Sequence, residues 1–392
     1  MTERVLIADL DFTAIRILLV CGWLRLIIRT EYHSVMKMNI IDKTMILYVF
    51  WTILSYVLMW QTFGSLIYKL GGASYFLGTY FLVRFYINDL DDVERMIRVF
   101  LYLSIFIAVF VAIERSTQSN YFSFLGGVPY TTIVREGKLR CFGPFSHPIT
   151  LGSFGAFLLP LAFYMLWKVK DSKILGLISL ISSIVIVYSS SSSGPVFSLA
   201  ASVIGLLIWN LRKHMRHIIW GIFLAIIGLE IVMKAHFWAL INRIGIFSSS
   251  SHYHRFLLVD QVIARFNEWW LIGVKSTEHW NLDVNLWDVS NNYARIAVDG
   301  GLLALVLFII IIVLCFRHVG KMRNLAHKNI EHQKLFWVLG VGMFSYVISF
   351  IGVSLWDQTI IIWYLIIAMV AGLQHKSTPV SNPVKEAVPA SI

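Results

Sequence analysis

Residues 292–316 read NYARIAVDGGLLALVLFIIIIVLCF, and this run decides the fold. After Asp299 it carries no charge, and a helix of this length clears the roughly 30 Å hydrocarbon core of a bilayer. Its apolar residues are continuous and do not alternate with polar ones, which excludes a barrel strand. Inside lipid the backbone must satisfy its own hydrogen bonds, so the run is helical.

Ten further apolar runs accompany it, at 10–28, 44–60, 66–87, 99–113, 149–167, 173–189, 195–210, 217–233, 335–353 and 358–374. The chain has 392 residues, 58% of them hydrophobic and 14% charged, with a mean hydropathy of +0.72. The expectation is an all-α polytopic membrane protein of about eleven to twelve transmembrane helices, one domain over 1–374. The polar tail 375–392, with Pro379, Pro383 and Pro389, reads as disordered and cytoplasmic. No internal repeat is visible. Asp9, Asp11 and Arg16 interrupt the first run and no small-residue cleavage site follows it, so a cleavable signal peptide is not expected.

The formal charge of +11 raises nucleic acid as a partner, but the cations sit between apolar runs, where they set orientation and meet anionic headgroups. Nucleic-acid binding is excluded on that placement. Lys168, Lys170 and Lys173, then Arg212, Lys213 and Arg216, then Arg317, Lys321, Arg323, Lys328 and Lys334 assign three connections to the cytoplasm. Alternation turns 114–148, 190–194, 234–291 and 354–357 outward. It also starts the chain outside, unless the first segment is re-entrant. Cys21, Cys141 and Cys315 are an odd number and imply neither a disulfide framework nor a metal cluster. No metal and no cofactor is expected.

The outward connections hold the chemistry. Arg140 and His147 flank Gly143-Pro144-Phe145-Ser146 just before a span. They read either as a lipid-phosphate contact and a helix cap or as substrate ligands. Ser189 to Ser193, followed by Gly194-Pro195, suits helix capping and can also line a sugar site. In the large loop 234–291, Ser250 or Ser251 can cap an amphipathic helix from about Tyr253 to Trp270. Arg255 in its first turn, beside free N–H groups, suits a diphosphate. His252 and His254 flank Arg255 as a base or as polar helix-start residues, and their i,i+2 spacing suits no metal. Lys234, Arg243, Arg265 and Lys275 make the loop basic, with Arg265 a further substrate ligand. Trp269, Trp270, Trp280 and Trp287 read as an interfacial belt or as stacking platforms. At the re-entry, Asn291, Arg295 and Asp299 recur at four-residue spacing on one helix face, and Asn292 stands beside them. The face holds either an internal Arg295–Asp299 pair or a wet cavity with substrate-binding Asn291, Asn292 and Arg295. Gly300-Gly301 reads as a helix-packing step.

Taken in this order, four features resemble the O-antigen ligase and O-antigen polymerase family of bacterial membrane glycosyltransferases. They are Arg140 with Gly143-Pro144-Phe145-Ser146-His147-Pro148, the hydroxyl-rich turn, Arg255 on a helix ending at Gly273, and Asn291-Asn292-Tyr293 followed by Gly301. The resemblance covers residues 30–374 and implies an undecaprenyl-diphosphate-linked glycan donor, a glycan or lipid acceptor and arginines on the diphosphate. It implies work at the outer face of the bacterial inner membrane, alone or with polysaccharide-assembly partners, without a metal. Two positions depart from the family pattern: Ser290 stands where His often precedes the Asn, and Ser193-Gly194 where Arg often follows the Ser. The base assignment therefore does not carry over. His254, with Asp288 second, is the candidate catalytic base here, and Arg255 the charge stabiliser. Because both departures fall on ligase features, a polymerase is expected before a ligase that transfers glycan to lipid A core. A transporter or flippase of lipid-linked sugar is the alternative from another class, disfavoured by polar groups gathered on the outer side. An assembly protein whose basic outer loop binds a partner is a third.

Overall fold

A computed structural model describes residues 5–7, 10–12, 14–29, 37–168, 172–233, 236, 238, 249–280, 288–356 and 358–373. The expected tail 375–392 and stretches 239–248 and 281–287 of the expected large loop lie outside the described residues.

Polar caps decide where the long helices begin. Asn39 and Asp42 form a reciprocal capping box on α2 (Ile40–Trp60), and Thr62 caps α3 (Phe63–Tyr86). Asp89 and Asp92 repeat the box on α4 (Leu90–Thr117). Each such cap stabilises its helix by about 1 kcal/mol. Before them, a hairpin of β1 (Val5–Ile7) and β2 (Leu10–Phe12) leads into α1 (Ala14–Ile28). A second hairpin, β3 (Ile133–Arg135) and β4 (Lys138–Arg140), precedes α5 (Pro148–Trp167), α6 (Lys173–Ser189), α7 (Ser193–Leu207) and α8 (Met215–Val232). Then come α9 (Ser249–Ala264), the single turn α10 (Phe266–Trp269), α11 (Asn292–Leu325), α12 (Ile330–Ser349) and α13 (Gln358–Gly372).

Eleven of these helices fall on the eleven expected apolar runs, but they are not equal. Among the described residues five stretches are long and apolar enough to cross a membrane: α2, α4, α5, the run Ser193–Val232 through α7 and α8, and α11. The expectation of about eleven to twelve transmembrane helices is met to that extent. Helix α1 has 15 residues, because residues 10–12 pair as a strand, and so covers only about 22 Å at 1.5 Å per residue. Helices α6 and α13 are apolar but short, with 17 and 15 residues.

Helix α5 is the axis of the packing, buried along most of its length against α4, α6, α7 and α12. Helix α8 is the opposite case: it is apolar from Ile218 to Leu229 and none of its residues is buried. Such a surface, which includes the exposed Ile219 and Leu224, is costly in water and natural against lipid.

The stretch around Gly301 differs from the expected packing step. Gly301 has φ +76° and ψ −178°, so α11 is two helical halves meeting at a break. The backbone of 270–274 fills that break. Leu302 N–H donates to Trp270 O at 2.8 Å, and Val274 N–H donates to Val298 O at 2.7 Å. The groups freed by the interruption are thereby satisfied, as a break at membrane depth demands. A side chain on Gly301 would meet Leu271 O at 2.5 Å, and one on Gly273 (φ +96°) would run into Val298 O.

Candidate functional site

The residues at one end of the bundle are assembled by Glu114, in the last turn of α4. Its Oε1 accepts the Phe142 N–H and its Oε2 the Gly143 N–H, both at 2.8 Å, and the Thr132 hydroxyl adds a bond at 3.2 Å. Asn120 Nδ2 donates to Gly143 O at 2.9 Å. Gly143 takes φ +53°, where a side chain would press on Val111 at 2.9 Å. This pinned turn sets Arg140 on one side and His147 on the other.

Arg140, at the end of β4, is 9% exposed. Its Nη2 donates to Ser192 Oγ at 2.8 Å, while its Nε is buried without a partner. The hydroxyl-rich turn thus serves the arginine directly, and Cys141 N–H fixes the same strand to Ser189 O at 3.0 Å. Arg255 is 8% exposed and lies against Gly352 in the connection between α12 and α13. It stands in the second turn of α9, because the helix begins at Ser249, before the expected serine cap. Its charge, not a helix N-terminus, is what it offers. Burial, then the like charge of Arg135, holds the Arg255 guanidinium below the usual arginine range. Burial, then Arg135 and Arg255, does the same to Arg140, with Glu136 opposing. The buried Arg140 thus feels the like charge of Arg255, the exposed Arg135 adds to both, and Glu136 is the carboxylate that opposes them at Arg140. Burying unpaired charge costs several kcal/mol per ion.

His147 caps α5: its Nδ1 accepts the Ile149 N–H at 3.1 Å, which leaves the ring proton on Nε2. Its ring centroid lies 5.7 Å from that of Trp356. Burial, then Arg140 and Arg135, pushes its pKa down to about 4. At neutral pH it is an uncharged donor, not a base. Gln358 Nε2 donates to Pro144 O at 3.0 Å and ties this turn to α13.

Asn291 and Asn292 join the 350–355 connection to the start of α11. Asn291 Oδ1 caps Ala294 N–H at 3.0 Å and its Nδ2 donates to Ile351 O at 3.2 Å. Asn292 Oδ1 accepts Leu355 N–H at 2.9 Å, while its Nδ2 is buried without a partner. Both asparagines thereby hold the backbone against which Arg255 rests.

The remaining candidates lie elsewhere. Arg265 bonds Glu268 at 2.9 Å, Gln261 at 3.3 Å and Trp280 O at 3.4 Å. Burial raises the Glu268 carboxyl, but bonds from Trp280, His279 and Arg265 outweigh it and hold the pKa at about 2. Arg265 is thus committed to a local clasp. Arg295 pairs with Asp299 at 2.8 Å, the internal pair that the four-residue spacing allows. Asp288 is exposed and acts on Arg295, and it is absent from the charges that bear on Arg140 and Arg255. His254 is half-buried beside Arg255 in α9. Glu114 and Arg135 were missed in the sequence, where no spacing or motif sets them apart from other charges near 114–148. Among the described residues no cluster of three metal-ligating side chains occurs.

No protein-family model matches this chain, and no curated protein matches it.

Proposed function

We propose that this protein is a membrane glycosyltransferase that takes its glycan from an undecaprenyl-diphosphate donor and joins it to a growing chain at the outer face of the bacterial inner membrane. The observation that carries this reading is the pair Arg140 and Arg255. Both are more than nine-tenths buried, mutually repulsive and short of counter-charge. A diphosphate supplies what they lack, through charge-assisted bonds to planar guanidinium groups.

In the mechanism, an acceptor hydroxyl attacks the anomeric carbon as the bond to the diphosphate oxygen breaks. Arg140 and Arg255 stabilise the charge that collects on the leaving group, the largest expected contribution. The His147 Nε2–H donates to an oxygen of the same group. His254, next to Arg255, is the base that takes the acceptor proton. Asp288, Arg265 and Arg295 have no part in this step.

The other end of the bundle is cytoplasmic in this reading, and the described parts of 234–291 are periplasmic. A ligase uses the same leaving-group chemistry and differs only in its acceptor. A transporter would keep a broken helix open to solute. Here the break at Gly301 is filled by the 270–274 backbone, which favours a fixed enzyme scaffold.

The test is titration of the purified protein with pyrophosphate, followed by incubation with undecaprenyl-diphosphate oligosaccharide. Arg255→Ala removes a charged hydrogen-bonding partner worth about 1.5–3 kcal/mol, so pyrophosphate affinity falls by at least about tenfold and product ladders disappear. Ladders without lipid A core mark a polymerase, and transfer only with core marks a ligase. Unchanged pyrophosphate binding in the variant, or lipid-linked sugar crossing vesicles without any joined product, overturns the reading.

A further inference from the structure

A second polar cluster lies on helices α2, α3 and α11, away from the arginine pair. Lys69 is six residues into α3 and Asp299 seven into α11, so both stand about 9–10 Å below their helix ends. Charges within a membrane span are costly unless they are paired or wet, and they mark sites. The Arg295–Asp299 bond compensates those two for each other. Asp299 acts on Lys69 as well, and the pair by itself does not explain why its side chains stay 47% and 44% exposed.

Three aromatic residues complete the cluster. The Tyr56 ring centroid is 5.8 Å from those of both Trp60 and Tyr68, and Lys69 Nζ lies 4.4 Å from it. Asp299 acts electrostatically on Lys69 and Tyr56, and Tyr68 acts on Arg295, so the three helices face one another here. Trp60 and Tyr68 are 40% and 69% exposed.

We infer that Tyr56, Trp60, Tyr68, Lys69, Arg295 and Asp299 form a second site that receives the saccharide headgroup of a membrane-embedded glycolipid. Its composition decides the ligand class. An anionic headgroup gains from Lys69, Arg295 and Lys275, whose Nζ lies 5.5 Å from the centre of the Trp60 ring, but is repelled by Asp299 and makes no use of the exposed rings. An ordinary interfacial aromatic belt needs no ion pair at all. A sugar uses every part: its C–H face stacks on the exposed rings, its hydroxyls donate to the Asp299 carboxylate, and its oxygens accept from Lys69 and Arg295. The depth of the charges requires the sugar to arrive on a lipid. This site rests on the membrane placement proposed above and not on the diphosphate chemistry. With both readings in force it is where the acceptor docks.

The experiment places the full chain in phosphatidylethanolamine nanodiscs. The probe is glucosyl-diacylglycerol carrying a diazirine next to its headgroup, and phosphatidylglycerol with the same diazirine is the comparison. Mass spectrometry is expected to find glycolipid adducts on peptides containing 56–69 and 292–299 at least tenfold above the phosphatidylglycerol adducts. Tyr68→Ala, a change on an exposed ring, and Asp299→Asn are each expected to lower them at least fivefold, with adducts on the lipid-facing α8 unchanged. A drop in either variant supports the site. Excess pyrophosphate is expected to leave the labelling intact, which separates this site from the arginine pair. Equal labelling by both lipids, or no drop in either variant, overturns the inference.

Discussion

Glu114 and His147 carry no charge to a substrate, yet both govern the arginine site. Replacing Glu114 with Ala orphans two buried N–H groups, at about 1–3 kcal/mol each. The melting temperature in detergent is expected to fall, and pyrophosphate affinity with it, because the turn between Arg140 and His147 loosens. Glu114→Gln retains one acceptor oxygen and is expected to fall between wild type and Ala in both measurements. For His147 the sign follows from its depressed pKa of about 4 against an ordinary value of 6.5. Between those values the unfolded chain binds a proton that the folded chain does not, so stability rises with pH through that window and is lost as pH falls from 6.5 toward 4. The loss is at most roughly 3 kcal/mol, and less for a side chain that keeps some solvent contact. Melting curves across pH 4–7 are expected to be steeper for wild type than for His147→Gln. Identical slopes would show that His147 does not contribute. Arg140, His147 and Arg255 were each legible in the sequence as cations or caps at a boundary. Their meeting was not, because it depends on a carboxylate whose N–H donors lie 28 and 29 residues further on.

The interrupted helix α11 is the element on which the arrangement turns. Its first half carries Asn291 and Asn292, which bond the 350–355 connection, and one to two turns further on the Arg295–Asp299 pair, so one short segment borders both sites. The break at Gly301 sets the angle of that segment, and Gly273 lets the crossing backbone approach. Gly301→Ala forces a side chain into a conformation that only glycine occupies readily, at about 1–3 kcal/mol, and drives it against Leu271 O. A clear drop in melting temperature is expected, with weakened pyrophosphate binding in whatever folds. An unchanged melting temperature would mean that the break is not required. Apolar length predicted the helix here, since 292–316 is continuous in hydropathy. It could not reveal the break, because Gly-Gly in an apolar run has the same signature in a packed helix. The start of α9 differs for a related reason: a helix from about Tyr253, capped by Ser250 or Ser251, was expected, and it runs from Ser249, because a run of serines does not mark where the first turn closes.

At the scale of the whole molecule, the two ends differ in how they hold their cations, and this fixes an expected orientation. At one end Lys168 pairs with Glu94, Lys334 donates to Trp167 O at 3.0 Å, and Arg212 lies 4.0 Å from the centre of the Trp209 ring. These side chains anchor helix ends in short connections, the positions whose charge sets topology. At the other end Arg140 and Arg255 are buried, and Arg265 is bound within its own loop. Orientation should therefore follow the first group and place 114–148 on the outer face of the membrane, the side on which the proposed transfer would take place. Single cysteines at exposed Lys138 and Lys328 test this, in a Cys21→Ser background that leaves only the buried Cys141 and Cys315. A membrane-impermeant maleimide is expected to label Lys138→Cys in intact cells and Lys328→Cys only after lysis. The reverse pattern would turn the molecule over, put the arginine pair on the cytoplasmic face, and remove the basis for an outer-face transferase while leaving the anion site itself intact.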